Sequence, residues 1–508
     1  MKLDRTSMLY GTLLLTGTGL LSQALGFLYR IALSRLIGAE VMGLYQLVMP
    51  VYSVLLSVTA VGLTAAVSNL SAEYHARGDR GAVSALLRRC LALFLALAAL
   101  AAAIVIPFSD SISVYLLGDA RTRLGLLLLV PCLVLTGVEN LQKHYFYGTG
   151  RVLPAAVTEL LEQILRSVLV LALVWASTPA TPEEAVGAIV LGMALCEVAS
   201  ALTQTVLFRL DLGPREALPG QALPGRVLRR KLGRIALPLG LAALLGNGIS
   251  SANAVLIPRL LVLGGMDQSQ AVSTYGVTFG MTLPLLLLPT AFLSALGLVL
   301  TPKLAQCSAL GQGAEIRRLI RRWVGLANRI LIPALALLAV LGPALGRALY
   351  GDPRVGDHLP LLALGVLFSC WQALGACALN GVDRQGTSAA IALVSDGVQL
   401  VLTCCTVVPF GMGGYAVSFT IASLLGAVLS WRGVARATGL GLPVFLWFTA
   451  PTLAACLAAA CGDLMETVLR RGGFGELPAA LGALGFGLLL YVAALQAQGA
   501  LSLRSPEE

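Results

Sequence analysis

The sequence predicts an all-α, polytopic membrane protein with about 14 transmembrane helices, arranged as two six-helix lobes in pseudo-twofold relation plus two C-terminal helices. Hydrophobic residues make up 57% of the 508 positions and charged residues only 12%, with a mean hydropathy of +0.86. An ordinary soluble domain carries about 25% charged residues. Apolar windows of about 20 residues, the length that crosses ~30 Å of hydrocarbon as a helix, recur along the chain. Several loop features also repeat at a fixed interval.

Fourteen apolar windows are long enough to span a membrane. They cover residues 9–34, 44–70, 90–108, 124–146, 155–176, 186–208, 235–257, 273–300, 324–346, 359–379, 388–408, 414–431, 444–461 and 477–497. None alternates as transmembrane strands do, so we predict helices. The first window continues past Gly26 to Leu36, which is too long for the core of a signal peptide, and we interpret it as an uncleaved first helix.

The distribution of basic residues predicts the orientation, because Lys and Arg collect at the cytoplasmic ends of membrane helices. If both termini are cytoplasmic, the cytoplasmic segments hold 24 of the 35 Lys and Arg residues and the outer loops hold seven. We therefore expect a multi-pass protein with its N and C termini in the cytoplasm. The net charge of +10 then reflects topology and attraction to anionic lipid, and nothing indicates a nucleic-acid partner.

Loop features that recur 233 residues apart predict an internal duplication. The matching pairs are Arg88-Arg89 with Arg321-Arg322, Gly118-Asp119 with Gly351-Asp352, Gly148 with Gly381, and Arg151 with Arg384. We expect an N-terminal lobe at 1–210 (spans 1–6), a basic cytoplasmic linker at 211–231, a C-terminal lobe at 232–436 (spans 7–12), and two extra helices with a tail at 437–508. Six spans return the chain to the same side, so the repeat axis should lie along the membrane normal. Transporters built this way bind substrate between their halves, near mid-membrane.

The fifth window carries a polar stripe inside an apolar helix. Glu159, Glu162, Gln163 and Arg166 have spacings of three, four and seven residues, which puts them on one helix face. An ionisable group in hydrocarbon costs about 2.5–3.5 kcal/mol on insertion scales, so it normally faces the bundle interior or water. We therefore expect this face to point inward.

Three other windows carry polar residues of the same kind. Gln23 and Arg30, seven residues apart, share a face of the first span, and Asn247 lies in the seventh. Asp396 and Gln399 in the eleventh span follow Gln163 and Arg166 by 233 residues. Spans 1, 5, 7 and 11 are thus expected to line a hydrated substrate cavity with basic groups on the first half.

Some of these charges have a structural alternative. Glu162 and Arg166 are four residues apart and could neutralise each other inside the bundle with no ligand involved. Glu139 and Lys143 have the same spacing, which favours a structural pair. Glu197 has no evident partner in its own helix, so it is a candidate for proton coupling.

Coupling to H⁺ or Na⁺ would use acids within the spans, and the candidates are Glu159, Glu197 and Asp396. Pro284 and Pro289 free backbone carbonyls in the eighth span, so they are candidates for a kink or a gate. The three histidines are far apart and no CxxC occurs, so no metal site is expected. No GxxxxGK followed by Ser or Thr is present, and we predict no cofactor, no ATP site and no catalytic residues.

Four stretches carry a family resemblance: LGFLYRIALSRLIGAEVMGLYQLVMPVYS (25–53), AAVSNLSAEY (65–74), YGVTFGMTLPLLLLPT (275–290) and LVLTPKLA (298–305). They resemble the polysaccharide-exporter branch of the multidrug/oligosaccharidyl-lipid/polysaccharide flippase superfamily, especially its members in endospore-forming bacteria. Members that flip lipid II use a cluster of cavity arginines, for which Arg30 is a candidate here. The chain departs from that pattern at Gln23, near where another arginine is expected, and residues 260–302 contain no Lys or Arg.

The resemblance implies a flippase in the bacterial cytoplasmic membrane. Its substrate would be a polyprenyl-diphosphate saccharide, such as a peptidoglycan, other cell-wall or spore-cortex precursor, moved from the inner to the outer leaflet by alternating access. The implied partners are this lipid, membrane lipids and cell-wall synthesis enzymes, and the implied energy source is the membrane potential, H⁺ or Na⁺. Two alternatives stay open: an ion-coupled exporter of organic cations or drugs, and a non-transporting scaffold for cell-wall assembly. An enzyme is disfavoured because no loop exceeds about 25 residues.

Overall fold

The computed structural model describes residues 8–213, 225–441 and 445–498, and these residues form helices joined by short turns. Contacts divide the chain into two compact units, Met1–Arg259 and Leu260–Glu508. Most of the loop in the predicted linker, including Pro214, Pro219 and Pro224, lies outside the described residues.

The helices of the first unit are numbered in chain order. They are α1 Met8–Leu56, α2 Gly62–Ala76, α3 Arg80–Val105, α4 Ser109–Ser111, α5 Arg123–Gly148, α6 Val152–Ser177, α7 Pro182–Leu212 and α8 Gly225–Leu263, which ends just past the unit boundary. Shorter π-helical turns at Ser57–Val61 and Ile112–Leu117 and a 3₁₀ turn at Ala120–Thr122 connect some of them.

The second unit continues the same architecture. Its helices are α9 Gln268–Gly276, α10 Leu283–Leu287, α11 Ala291–Ala309, α12 Gly313–Tyr350, α13 Leu359–Gly381, α14 Gln385–Thr438, α15 Ala450–Arg471 and α16 Glu476–Ala497. The connecting turns are π-helical at Val277–Thr282 and Phe445–Thr449, and 3₁₀ at Leu288–Thr290 and Pro353–Gly356.

Twelve helical stretches among the described residues are long and apolar enough to cross a membrane, which confirms the predicted all-α membrane fold. Two of them, Leu14–Ala76 with 63 residues and Gln385–Thr438 with 54, are more than twice the ~20 residues that one crossing needs. Each contains one glycine with a non-helical backbone, Gly38 (φ 76°, ψ 178°) and Gly411 (φ 57°, ψ −140°). When each is counted as two spans, the total reaches about fourteen.

The interval of 233 residues recurs in the backbone. Left-handed residues stand in pairs at this spacing: Gly78 and Gly311, Gly118 and Gly351, Gly150 and Asp383, Thr178 and Gly411. Most of these residues follow the end of a helix, where a residue with positive φ commonly ends the helical hydrogen bonding. The two units therefore share a series of chain reversals, although the boundaries of the predicted lobes stay a prediction.

One of these reversals is repeated down to its hydrogen bonds. After Gly118, Asp119 accepts from the Arg121 backbone N–H at 3.0 Å and from its Nη2 at 2.7 Å. After Gly351, Asp352 accepts from the Arg354 backbone N–H at 2.9 Å and from its Nη2 at 2.7 Å. The Gly-Asp pairs found in the sequence are thus the starts of two equivalent turns.

Small residues bring α5, α6 and α7 close together. A Cβ at Gly192 of α7 would lie 2.8 Å from the Cα of Val170 in α6, and one at Gly125 of α5 would lie 2.7 Å from a methyl of Val186 in α7. Small residues let membrane helices approach closely, since packing rather than hydrophobic burial holds them together. These three helices carry the cluster of charges described next.

Candidate functional site

Five charged side chains from α5, α6 and α7 form a continuous set of ion pairs, here called the charge network: Glu139, Lys143, Glu162, Arg166 and Glu197. Lys143 Nζ lies 2.7 Å from Glu139 Oε1 and 2.8 Å from Glu162 Oε2. Arg166 Nη2 donates to Glu162 Oε1 and, at 3.0 Å, to Glu197 Oε1. Glu162 therefore bridges the two cations.

Neutral groups support the charge network. The Ser200 hydroxyl donates to Glu139 Oε1 at 2.6 Å, and the Cys196 thiol donates to the Glu162 backbone carbonyl at 3.1 Å. The hydroxyl of Tyr52 donates to Thr136 Oγ1 at 2.7 Å, and Thr136 lies beside Glu197. Hydroxyl and thiol groups from α1, α5 and α7 thus lie close to the charges.

The members of the charge network differ in exposure: some are buried and others are partly exposed. The side chains of Glu139 and Glu197 are 1% and 3% exposed, whereas those of Glu162 and Arg166 are 17% and 25% exposed. Three polar atoms of the charge network are buried without a hydrogen-bond partner among the described residues: Glu139 Oε2, Arg166 Nε and Glu197 Oε2. Such atoms are uncommon in folded proteins and each needs an explanation.

The predicted polar faces of α1 and α6 are neighbours. Gly26 of α1 packs on the Gln163 side chain, whose Nε2 would lie 3.4 Å from a Cβ at that position. Arg30 and Arg166 both lie within electrostatic range of the Tyr45 hydroxyl of α1. Gln23 and Arg30 are exposed, and no hydrogen bond or ion pair of Arg30 is found among the described residues.

Asn247 of α8 belongs to the same unit but makes a different contact. Its Nδ2 donates to Ser57 Oγ at 2.7 Å, and Ser251 one turn later donates to the Pro50 carbonyl at 3.0 Å. Pro50 lies in α1 and Ser57 starts the π-helical turn after it. Asn247 therefore contacts the chain around the end of α1 rather than the charge network.

The predicted residues of the second unit form no comparable set of ion pairs. Asp396 is half-buried with no hydrogen bond or ion pair among the described residues, and the Gln399 side chain lies beside the Tyr415 hydroxyl. Pro284 lies in the first turn of α10 and Pro289 in the following 3₁₀ turn, so the backbone is irregular at both. A role as a gate stays a prediction.

The two ion pairs of the charge network that lie within one helix agree with the predicted spacing of four residues. The predicted pairings Glu162 with Arg166 and Glu139 with Lys143 are confirmed, although only Glu162 and Arg166 had been placed in the site. Glu159 is half-buried beside the charge network, with no ion pair among the described residues, and Glu197 gains its partner from α6. No group of three metal-ligating side chains occurs in the described ranges.

Comparison with known proteins identifies relatives over most of the chain. The family described as polysaccharide biosynthesis protein matches residues 8–308. The chain is 24% identical to Stage V sporulation protein B of Bacillus subtilis (strain 168) over 481 residues, covering 93% of this chain and 91% of the relative. It is 22% identical to the Lipid II flippase MurJ of the same organism over 429 residues, covering 78% and 77%.

Solved structures share the fold. A multidrug resistance MATE family transporter of the MOP superfamily, in an inward-facing conformation, has a TM-score of 0.65 at 15% identity, covering 83% of this chain and 96% of the other. A MOP superfamily transporter from Pyrococcus furiosus Vc1 has a TM-score of 0.61 at 14% identity, covering 84% and 96%. At these identities the likeness shows the fold alone.

These findings confirm the family resemblance drawn from the first three hundred residues. Since the family match covers residues 8–308 of 508, the chain belongs to the polysaccharide biosynthesis protein family, and its fold is that of the MOP superfamily transporters.

Proposed function

We propose that the chain is a flippase that moves a polyprenyl-diphosphate saccharide from the inner to the outer leaflet of the bacterial cytoplasmic membrane by alternating access. The family and the flippase among its relatives support this proposal. The observation that supports it most is Arg30, which is exposed, has no ion pair or hydrogen bond among the described residues, and lies with Arg166 near the Tyr45 hydroxyl.

The physical task is to carry a hydrated headgroup through hydrocarbon. Each sugar hydroxyl costs about 4–8 kcal/mol to move unpaired into an alkane-like medium, so unaided flipping is prohibitively slow. A polar surface such as that of α1 and α6 removes much of this cost, because it replaces water with hydrogen-bonding side chains. The prenyl tail stays in the bilayer throughout.

The diphosphate needs cationic partners, and arginine suits oxyanions because its planar fork donates two parallel hydrogen bonds. Arg30 is exposed and has no ion pair or hydrogen bond within the described part of the chain, so its guanidinium can make such bonds. Arg166 uses Nη2 for its two carboxylates, and its Nε is buried without a hydrogen-bond partner among the described residues, so the five N–H donors of its guanidinium are not all used. We therefore assign Arg30 as the direct diphosphate ligand and Arg166 as a second, partly neutralised one.

Transport in this direction needs no nucleotide. Moving one negative charge outward gains about 2.3 kcal/mol per 100 mV when the cytoplasm is negative. Coupling to H⁺ or Na⁺ through Glu159, Glu197 or Asp396 is a further part of the proposal. So are cytoplasmic N and C termini and contacts with cell-wall synthesis enzymes.

The test is a leaflet-accessibility assay in proteoliposomes containing a polyprenyl-diphosphate disaccharide. Arg30→Ala should abolish protein-dependent translocation, Arg30→Lys should retain part of it, and Arg77→Ala, which removes an exposed arginine after α2, should leave it unchanged. Full translocation by Arg30→Ala and by Arg166→Ala would contradict the arginine assignment.

The second candidate is an exporter of organic cations. Two observations favour it: the charge network holds three carboxylates against two cations, and the fold matches a multidrug resistance transporter. Efflux of a fluorescent organic cation from cells that express the chain, lost in Glu197→Gln but retained in Arg30→Ala, would support this candidate and contradict the flippase.

A further inference from the structure

The charge network contains one more acid than base. Three carboxylates, on Glu139, Glu162 and Glu197, face two cations, on Lys143 and Arg166. An uncompensated charge in such a buried place is costly, and a carboxylate there tends to neutralise by taking up a proton. The surplus therefore points to one exchangeable proton.

The hydrogen bonds identify which acid is left over. Glu162 contacts both cations, through Oε1 to Arg166 and Oε2 to Lys143. Glu139 has the Lys143 ammonium at 2.7 Å and the Ser200 hydroxyl at 2.6 Å on one oxygen. Glu197 has no cation of its own: it shares Arg166, at 3.0 Å, with Glu162, and its other polar neighbour is the neutral Thr136 hydroxyl. One oxygen of Glu197 and one of Glu139 are buried without a hydrogen-bond partner among the described residues, so the lack of a cation of its own is what distinguishes Glu197.

The surroundings do not supply the missing cation. The other titratable groups near the charge network are Tyr29, Tyr45 and Tyr52 with Arg30 on α1, Cys132, His144 and Tyr147 on α5, Glu159 on α6, and Cys196 on α7. Tyrosine and cysteine are neutral at physiological pH, and histidine, with an ordinary pKa near 6.5, is mostly neutral there. Arg30 and Glu159 add one charge of each sign, so the surplus stays at one carboxylate.

We propose that Glu197 is a proton-binding site, in which a proton on its carboxyl group makes the charge network neutral and loss of that proton leaves it with one net negative charge. Atoms balance simply, because the proton is exchanged with water and no bond other than O–H forms or breaks. Glu162 and Arg166 are the partly exposed members of the charge network, so we expect the proton to exchange with water from their side.

The consequence for transport rests on the proposed function. A deprotonated Glu197 competes with a diphosphate for Arg166, since both are anions that its guanidinium can bind. Protonation weakens that competition, so a polyprenyl diphosphate should bind more tightly at lower pH. This pH dependence should disappear in Glu197→Gln.

The proton site itself is tested without substrate, by infrared difference spectroscopy on the full chain in lipid vesicles. The pH is varied over about 5 to 9, above the ordinary glutamate pKa of about 4.3. The carbonyl stretch of one protonated carboxylic acid should appear reversibly as the pH falls. It should be lost in Glu197→Gln and retained in Glu183→Gln, which changes the same residue type in the first turn of the same helix.

A second variant tests the charge count. Lys143→Met removes one cation, so two surplus carboxylates remain and the band should about double in amplitude.

Glutamine mimics the protonated acid, so Glu197→Gln should fold and melt like the unmodified chain. Three results would each overturn the proposal: no titrating band in the unmodified chain, an unchanged band in Glu197→Gln, or failure of Glu197→Gln alone to fold. Failed translocation with the band present would overturn only the proposed function.

Discussion

Lys143 Nζ lies 2.8 Å from Glu162 Oε2, and this ion pair joins α5 to α6 across a turn of only a few residues. Lys143 is 9% exposed, and it also holds Glu139 within its own helix. Because this buried ammonium group pairs with carboxylates on both α5 and α6, the position of α6 relative to α5 depends on one side chain. The register of the polar face of α6 therefore depends on a residue of α5.

Removing the Lys143 ammonium should destabilise the first unit. Loss of one partner of a buried pair typically costs 3–5 kcal/mol, and we expect about 3 kcal/mol for Lys143→Met because a stranded carboxylate can take up a proton. Thermal unfolding in detergent measures the loss. Lys143→Met combined with Glu139→Gln should recover part of it, and Lys303→Met, at an exposed lysine, should have little effect. Equal melting of both lysine variants would contradict a structural role.

The equivalent glycines Gly118 and Gly351 should respond unequally to alanine. Both have positive φ, 81° and 77°, which costs a side-chain-bearing residue about 1–2 kcal/mol. A Cβ at Gly351 meets nothing within 4 Å, whereas one at Gly118 would lie 2.9 Å from Arg259 Nε. Gly118→Ala should therefore lower the melting temperature more than Gly351→Ala. Asparagine tolerates positive φ, so Gly351→Asn should keep a melting temperature close to that of the unmodified chain. An equal drop in melting temperature for alanine at both sites would contradict the role of Arg259.

The turn between α12 and α13 should lose stability in acid through Asp352. Burial alone would raise the pKa of Asp352. Arg354 outweighs this effect, because its side chain and backbone donate hydrogen bonds to the carboxylate and its positive charge lies beside it. The pKa of Asp352 is therefore below its ordinary value. The folded pKa thus lies below the unfolded one, near 3.9. The stabilisation is fully present above about pH 4 and is lost as the pH falls through the folded value.

Asp352→Asn should consequently cost at most about 1 kcal/mol at neutral pH, since Arg354 is half-exposed and solvent screens the pair. The difference from the unmodified chain should shrink as the pH is lowered below about 4. Thermal melting across this range measures it, with Asp357→Asn in the same turn as the control. A difference that is constant with pH would show that the charge of Asp352 is not responsible.

The helices and the polar stripe could be predicted because they depend on local sequence. An apolar window gives a span, a spacing of four residues gives an ion pair such as Glu162 with Arg166, and a glycine after a helix gives a left-handed turn such as Gly118. Each of these features is decided within a few residues along the chain.

Contacts between helices could not be predicted in the same way. The pairs Lys143 with Glu162 and Arg166 with Glu197 depend on how far α5, α6 and α7 slide along one another. Close approaches such as Gly192 on Val170 decide that register, and a glycine in an apolar window does not say which helix will contact it. The sequence also did not show that the first two predicted spans form one helical stretch through Gly38, because a glycine at a kink and a glycine in a loop look alike in sequence.

We propose that Arg30 of α1, with Arg166 of α6 as a second and partly neutralised ligand, binds the diphosphate of a sugar-lipid while its head crosses the membrane. The most direct test is the initial rate at which the headgroup of a polyprenyl-diphosphate disaccharide reaches the outer leaflet of proteoliposomes, measured against an imposed membrane potential. We predict protein-dependent transfer that speeds up as the interior becomes more negative and that fails for the uncharged polyprenol disaccharide. Equal transfer of both lipids, or no transfer of either, would contradict the account.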